Sequence, residues 1–382
     1  MRFVLLYFTH FISFGAFVPF LPLYLRRAAG LSQVEIGWVL AISNLVSLVG
    51  LFVWGPFVDR TDKRRRTLVM GMIASAALYP AYMLTRGLPE IIGLTIVLGV
   101  FMTPVIPLLD DLLLTHIRIH GGEYGRTRLW GSAAFIVGST AAGWLLGHGV
   151  AGGQFFVFIA AEIAALVVLA TFSSEEINRP GAAVKDRHFW RSLTGPFIVF
   201  LVAAFLGRIS AIGHYNLYSL YLDKIGVSDT LKGVAWSIGV VAEIGMMFFT
   251  GRIIRRFGAR WLFTLGLVGS AARFALYAIW PTPTGAIAGQ VLHAFTFGAY
   301  HVGAVTLVTE LAPPGRSATG QFALASLAYG LGSTVGSVVS GQVAQIWGYQ
   351  VMYVMCAGLA VLAALVAQIS APEKGHTVVS GP

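Results

Sequence analysis

Runs of roughly twenty apolar residues recur along the whole chain, each long enough as a helix to cross about 30 Å of hydrocarbon. They fall near 3–25, 35–58, 67–85, 88–119, 123–147, 153–173, 195–222, 230–254, 260–280, 284–311, 317–344 and 349–369, twelve in all. Hydrophobic residues make up 57% of the chain and charged residues only 11%. A soluble domain carries about 25% charged residues. The first run, Phe3 to Leu25, exceeds the ~7–15 residues of a signal-peptide core. It contains His10 and has no small-residue cleavage site before Arg26, so it reads as a retained membrane helix. The 45 glycines suit close helix packing in lipid. A lone cysteine, Cys356, leaves no internal disulfide and no cysteine-based metal site.

The longest polar stretch, SSEEINRPGAAVKDRHFW, divides the runs six and six. The expected organisation is a six-helix bundle over 1–172, a cytoplasmic linker over 173–194, a second bundle over 195–370 and a cytoplasmic tail over 371–382. The net charge of +10 suggests nucleic acid until the charges are placed. With both termini cytoplasmic, the cytoplasmic loops and ends hold 19 Lys and Arg and the opposite loops five. That asymmetry sets the orientation in a cell inner membrane and removes the need for a nucleic-acid partner. The halves also repeat. Tyr24, Gly30, Gly37 and Gly55 return 196 or 197 residues later as Tyr221, Gly226, Gly233 and Gly251, and GST at 138–140 returns at 332–334. A parallel repeat of this kind belongs to alternating-access transporters, with the site between the halves near mid-membrane.

Ionisable side chains inside membrane spans are costly, so each is a candidate functional residue. They are Asp110, Asp111, Glu162, Arg208, Glu243 and Arg273, joined by His10, His293 and His301. Measured from the PTP turn at 281–283, Arg273 and His293 both lie roughly 15 Å deep. Glu243 reaches a similar depth in the eighth run, and the three make a proton-coupling group. Burial favours a neutral acid and a guanidinium favours the anion, so moving the arginine would release or capture a proton. The competing reading is a static Glu–Arg pair with His293 as a core residue. A second group, Asp110 and Arg128, flanks the HGG turn at 120–122 and suits a hydroxylated ligand. Phe135 lies two turns beyond Arg128 on the same face and can stack on a ring, or simply pack. The loops from Gly55 (with Asp59, Arg60 and Arg64) and from Gly251 (with Arg255) suit a conformational gate, or only set topology.

Several motifs carry a likeness: GAFVPFLPLYL in the first run, the Gly55–Asp59–Arg60 loop, YGRTRLWGS at 124–132, LHAFTFGAYH at 292–301 and RSATGQ at 316–321. The chain resembles the major facilitator superfamily over essentially its whole length, in the branch containing lactose permease and the phenylpropionate permeases. The resemblance implies that Asp110 and Arg128 bind substrate, that Phe135 stands for a stacking tryptophan, and that Glu243, Arg273 and His293 couple protons. Thr296 stands where lactose permease has its central proton-carrying glutamate, so the carrier role would fall to Glu243. Ala211 and Gln290 replace an intramembrane Asp–Lys pair. The stretch YNLYSLYL is similar to the phenylpropionate permeases and implies an aromatic acid, with Arg208 as carboxylate anchor and His214 and Asn216 beside it.

The expectation is an all-α membrane protein with twelve helices in two pseudo-symmetric bundles. It would act, as a monomer, by proton-coupled import of a small polar solute such as an aryl acid or a sugar. The proton gradient is the energy source, and no cofactor is expected. A nucleoside symporter, an exporter or uniporter of the same fold, and a transport-dead sensor are the alternatives. No nucleophile–base pair, metal cluster or GxxxxGK[ST] loop suggests an enzyme.

Overall fold

A bilayer offers no water to backbone amides and carbonyls, so a span must satisfy them within itself. The computed structural model describes residues 1–61, 63–121, 123–172, 194–312 and 316–369, and among them the regular structure is helical throughout. The first half contains α1 (Arg2–Arg27), α2 (Gln33–Thr61), α3 (Arg64–Leu78), α4 (Leu88–Met102), α5 (Val105–His120), α6 (Tyr124–Gly147) and α7 (Gly153–Ala170). The second contains α8 (Gly195–Lys224), α9 (Asp229–Phe257), α10 (Ala259–Ile279), α11 (Pro283–Ala288), α12 (Tyr300–Leu311), α13 (Ser317–Leu324) and α14 (Ser333–Ile369). A π-helical turn, Ala294–Ala299, leads into α12, and another, Ala325–Gly332, joins α13 to α14. The linker expected over 173–194 (Thr194 apart) and the tail over 371–382 lie outside the described residues.

Among the described residues, eleven helical stretches are long and apolar enough to cross a membrane. α4 and α5 serve as one of them. The last, Thr319–Ile369, has 51 residues, well beyond one crossing. It breaks at Gly348, whose φ of 85° and ψ of 171° leave the helix. The break separates the two passes expected at 317–344 and 349–369. Large apolar side chains such as Phe248, Ile279 and Leu365 stand exposed on the outer faces, as a lipid-facing surface requires.

Three apolar cores hold the helices. One draws on both halves at the end of the molecule away from the termini, around Tyr79, Phe155, Tyr221, Trp236, Tyr277 and Tyr353. At the other end, which carries the basic loops, each half has its own core. Leu6, Leu68 and Leu169 belong to the first, and Phe200, Phe263 and Leu307 to the second. The halves are therefore closed on the far face and separate towards the basic face.

The sequence repeat explains the closed end. α6 packs on α9 and α2 on α14. A Cβ on Gly143 would sit 3.1 Å from the Gly233 Cα, and one on Gly37 would sit 3.3 Å from the Gly341 Cα. Gly37 and Gly233 are the repeated pair at a spacing of 196. Both halves thus supply the same bare backbone to a mutual contact. At the rim Arg27, at the end of α1, pairs with Asp223 and, at 2.8 Å, with Asp229. Lys232, with no exposed surface, holds the same two carboxylates at 2.8 and 2.6 Å.

Candidate functional site

A cavity of about 500 Å³ lies between the halves, above the shared core. The first half lines it with Phe11, Phe14, Arg128, Ser132 and Phe135. The second half contributes Tyr215, Trp236, Glu243, His293, Phe297 and His301. Phe135 and Trp236 approach across the boundary, with ring centroids 6.2 Å apart. Four residues expected at the site are therefore on one surface: Arg128, Phe135, Glu243 and His293.

Arg273 is fully buried and is the hub of the second-half wall. It donates from Nη1 to His293 Nδ1 at 2.9 Å, and from Nη2 to His214 Nε2 at 2.9 Å and Gln290 Oε1 at 2.6 Å. Its Nε donates to the Tyr277 hydroxyl at 3.0 Å. A guanidinium has only donors, so both imidazoles accept from it. His293 must then carry its proton on Nε2, which faces Glu243 Oε2 at 3.5 Å. His214 carries its proton on Nδ1, beside the Tyr353 hydroxyl at 3.3 Å. The static Glu–Arg pair does not form, because His293 stands between the two. Gln290 takes part of the arginine's field, and His214 serves the arginine rather than the cavity. Thr296 turns its hydroxyl back towards the Leu292 carbonyl, 3.4 Å away.

Asp110 is turned from the cavity. It accepts from the hydroxyls of Tyr7, at 2.5 Å, and Tyr124, at 2.9 Å. The Tyr124 hydroxyl also lies beside the Arg128 guanidinium. Asp110 and Arg128 are therefore linked through a phenol, and among the described residues they form no direct ion pair. Arg128 itself stacks on Phe11 at 4.4 Å. Composition gave no sign of the two tyrosines; helix phase would have found Tyr7 only with the α1–α5 contact in hand.

Asn216 donates to Ser337 at 2.7 Å, and Asn44 from the other half reaches the same hydroxyl at 3.2 Å. Asn216 thus belongs to the closed boundary and is not among the residues lining the cavity. Glu162 and His10, both buried, lie in the first half with Nδ1 and Oε1 2.9 Å apart. Ser13 donates to the same oxygen at 2.7 Å, while the imidazole is poorly aligned for a hydrogen bond of its own.

The residues expected to form a gate do not touch one another across the halves among the described side chains. Gly55 is open space on its Cβ side, and Gly251 meets only the Arg255 guanidinium at 3.6 Å. Arg60 and Arg255 are exposed. Arg64 is buried and reaches Asp111 Oδ2 at 3.2 Å, which ties α3 to α5. The side chain of Asp59 lies outside what the structure describes. Separation of these loops accords with the split cores at the basic face.

Membrane-crossing helices in two related halves, with an aromatic and partly charged cavity between them, define a multi-pass membrane transporter. The chain belongs to the MFS_1 like family, whose model matches residues 1–355. It is 28% identical to the maltose permease of Geobacillus stearothermophilus over 97% of this chain and 94% of that protein. It is 26% identical to the probable 3-phenylpropionic acid transporter of Escherichia coli K12 over 91% and 92% of the two chains. Its fold matches the crystal structure of the nucleoside transporter NupG with a TM-score of 0.81 at 18% identity, covering 97% of this chain and 98% of that one.

Proposed function

We propose that this chain is a proton-coupled symporter that imports a small organic solute with a flat or apolar ring face. It would work by rocking of its halves in a cell inner membrane, with both termini cytoplasmic. The carrying observation is the linked set Glu243–His293–Arg273 on the wall of the cavity between the halves. Glu243 is the carboxylate that meets the cavity, and its link to the buried guanidinium runs through one imidazole. A change at Glu243 is felt at His293, which joins the helix of Glu243 to the segment before α12. The surplus of Lys and Arg on the open side supports reading the described conformation as cytoplasm-facing. Both halves of one chain line the cavity, which supports a monomer as the working unit. Seven Phe, Tyr and Trp rings on the wall suit any of the solutes named for the relatives: a sugar face, a phenyl group or a base.

The test is uptake into proteoliposomes of the pure protein, with an inward proton gradient and without one. The panel is maltose, 3-phenylpropionate and uridine. Accumulation of one of them driven by the gradient, and lost in Glu243→Gln, is the expected result. Uptake indifferent to both the gradient and Glu243 would leave a uniporter or exporter and end the symport reading.

A further inference from the structure

A second cavity, of about 260 Å³, lies inside the first half between α1, α2 and α4. Phe14 lines it and lines the central cavity as well. On α1 the central cavity is met by Phe11, Phe14 and Val18, and the side cavity by Phe14, Phe17 and Leu21. Steps of three and four place these on adjacent stripes of one helix, with Phe14 on the border. Its ring centre lies 5.5 Å from that of Phe11, and it meets His10 edge-on at 5.6 Å. Packing closes the side cavity in three directions. Towards lipid, α2 meets α4 so closely that a Cβ on Gly99 would come 2.9 Å from Val46 Cγ1, and one on Gly50 2.8 Å from Thr103 Cγ2. Towards the second half, Asn44 donates to Ser337 at 3.2 Å and Leu48 covers Gly330. At the far face, Leu21, Val39, Leu98 and Tyr82 belong to the core shared by the halves. Between the side cavity and the central one stands α1, with Phe14 as the partition.

The wall of the side cavity is mostly apolar, and among the described residues no charged side chain lines it. Arg208, whose Nε donates to Ser333 at 2.7 Å, lines neither cavity. The polar groups on the wall are the hydroxyls of Ser43, Ser47, Thr95, Thr103 and Tyr82. Thr95 and Thr103 donate back to the Ile91 and Gly99 carbonyls, each at 2.7 Å, a common use of a hydroxyl inside a helix. Tyr82 is joined to Thr95 at 2.7 Å. Ser43 and Ser47, one turn apart on α2, make no hydrogen bond among the described residues. Both are partly exposed, and the surface they meet is this cavity. A hydroxyl without a partner in an apolar space is unfavourable, so the pair favours an occupant that bonds it. Water does so, and a ligand oxygen that displaces the water keeps the bonds. The matching occupant is uncharged and mainly apolar, with a hydroxyl or ether oxygen to face the two serines.

We propose that the side cavity is a second binding subsite, for an uncharged and mainly apolar group bearing a hydroxyl or ether oxygen, and that Phe14 governs entry to it from the central cavity. The polar end of the solute then stays beside Arg128, Glu243 and His293, while its neutral end turns past Phe14 towards Ser43 and Ser47. This rests on the central cavity being the transport site, and it does not depend on proton coupling.

The test is thiol labelling of Ser47→Cys in the full-length protein in detergent. Peptide mass locates the modified cysteine, and the native Cys356 is buried. The reagents are neutral methyl methanethiosulfonate and its anionic sulfonatoethyl and cationic trimethylammonioethyl relatives. Ser132→Cys, on the wall of the central cavity, is the control. The ratio of neutral to ionic labelling should be at least about tenfold higher at Ser47→Cys than at Ser132→Cys, because an ion loses its hydration on entering an apolar space. Phe14→Ala should speed neutral labelling of Ser47→Cys severalfold, the milder Phe14→Leu should speed it less, and Phe14→Trp should slow it. Cyclohexanol should protect Ser47→Cys and leave Ser132→Cys reactive, and cyclohexanecarboxylate should protect neither. A rate at Ser47→Cys that ignores every change at Phe14 would place the entry elsewhere and overturn the proposal. So would equal access for the ions, or no protection by cyclohexanol. Ser132→Cys closed to all three reagents would remove the central cavity as the solute's site, and this inference with it. None of these readings needs solute uptake, so loss of the symport reading alone leaves the subsite standing.

Discussion

His293 Nε2 faces the Glu243 carboxylate at 3.5 Å, from the ring edge opposite the one held by Arg273 at 2.9 Å. That arrangement fixes the imidazole tautomer and, among the described residues, makes one ring the short link between a carboxylate at the cavity and a buried guanidinium. Substitutions at the two ends should therefore have different effects.

Glu243→Gln removes the exchangeable proton and leaves the shape of the cavity. It should abolish accumulation against a gradient yet keep solute exchange between equal pools. Counterflow measured beside gradient-driven uptake separates the two, and loss of both would assign Glu243 to solute binding instead.

Arg273→Gln should act on stability. It leaves two imidazole acceptors, an amide oxygen and a phenol in a dry interior without their common donor. Each buried acceptor left without its donor costs about 1–3 kcal/mol. Cys356, buried and the sole cysteine, allows a thiol-reactive dye to report unfolding. A melting temperature close to that of wild type would contradict the hub role.

Gly233→Val should shift the conformation. A side chain at Gly233 collides with the Ser139 carbonyl oxygen and pushes α6 from α9 at the closed face. The halves should then populate the state open on that face, and the basic ends should approach. Spin labels at Arg60 and Arg255 should read shorter distances than in the parent, and unchanged distances would show that the Gly143–Gly233 contact does not hold the far face closed.

Arg27 and Lys232 share two carboxylates but should differ in weight. Arg27 is 43% exposed, so Arg27→Gln should cost about 1 kcal/mol or less. Lys232 is fully buried between Asp223 and Asp229, and Lys232→Met leaves both carboxylates to the part-exposed Arg27 alone. The second variant should melt well below the first, and equal melting points would show that the buried contact carries no extra weight.

Gly348→Ala should destabilise the last two passes. A φ of 85° with a ψ of 171° lies in a region essentially confined to glycine, so a side chain there costs roughly 1–3 kcal/mol. The Cys356 dye assay should register the loss, while solute affinity should hold.

Much of the fold could be read in advance. The apolar runs, the basic asymmetry and the repeat at 196 mark the spans, one sided face and two related halves, because each follows from a rule that acts along the chain. Arg273 and His293 could be matched in depth by counting residues from one turn. Gly37 and Gly233 stood out as repeats, but the sequence did not tell why they were glycine, and the Gly55–Gly251 pair, equally repeated, is open space in this conformation.

Partners across helices were a different matter. Counting gives depth in the membrane, but the rotation of each helix about its axis and its choice of neighbour depend on packing over the whole bundle. That is why Asp110 meets two tyrosines before Arg128, and why Arg273 meets His214 and Gln290 as well as His293. It is also why Asn216 turns to the closed boundary. The sequence by itself determined that this chain lives in a membrane, and which side chains are too costly there to be idle. Only the tertiary structure decided which of those charges meet, because charge compensation in a low-dielectric interior depends on distances of a few ångströms between helices far apart in the chain.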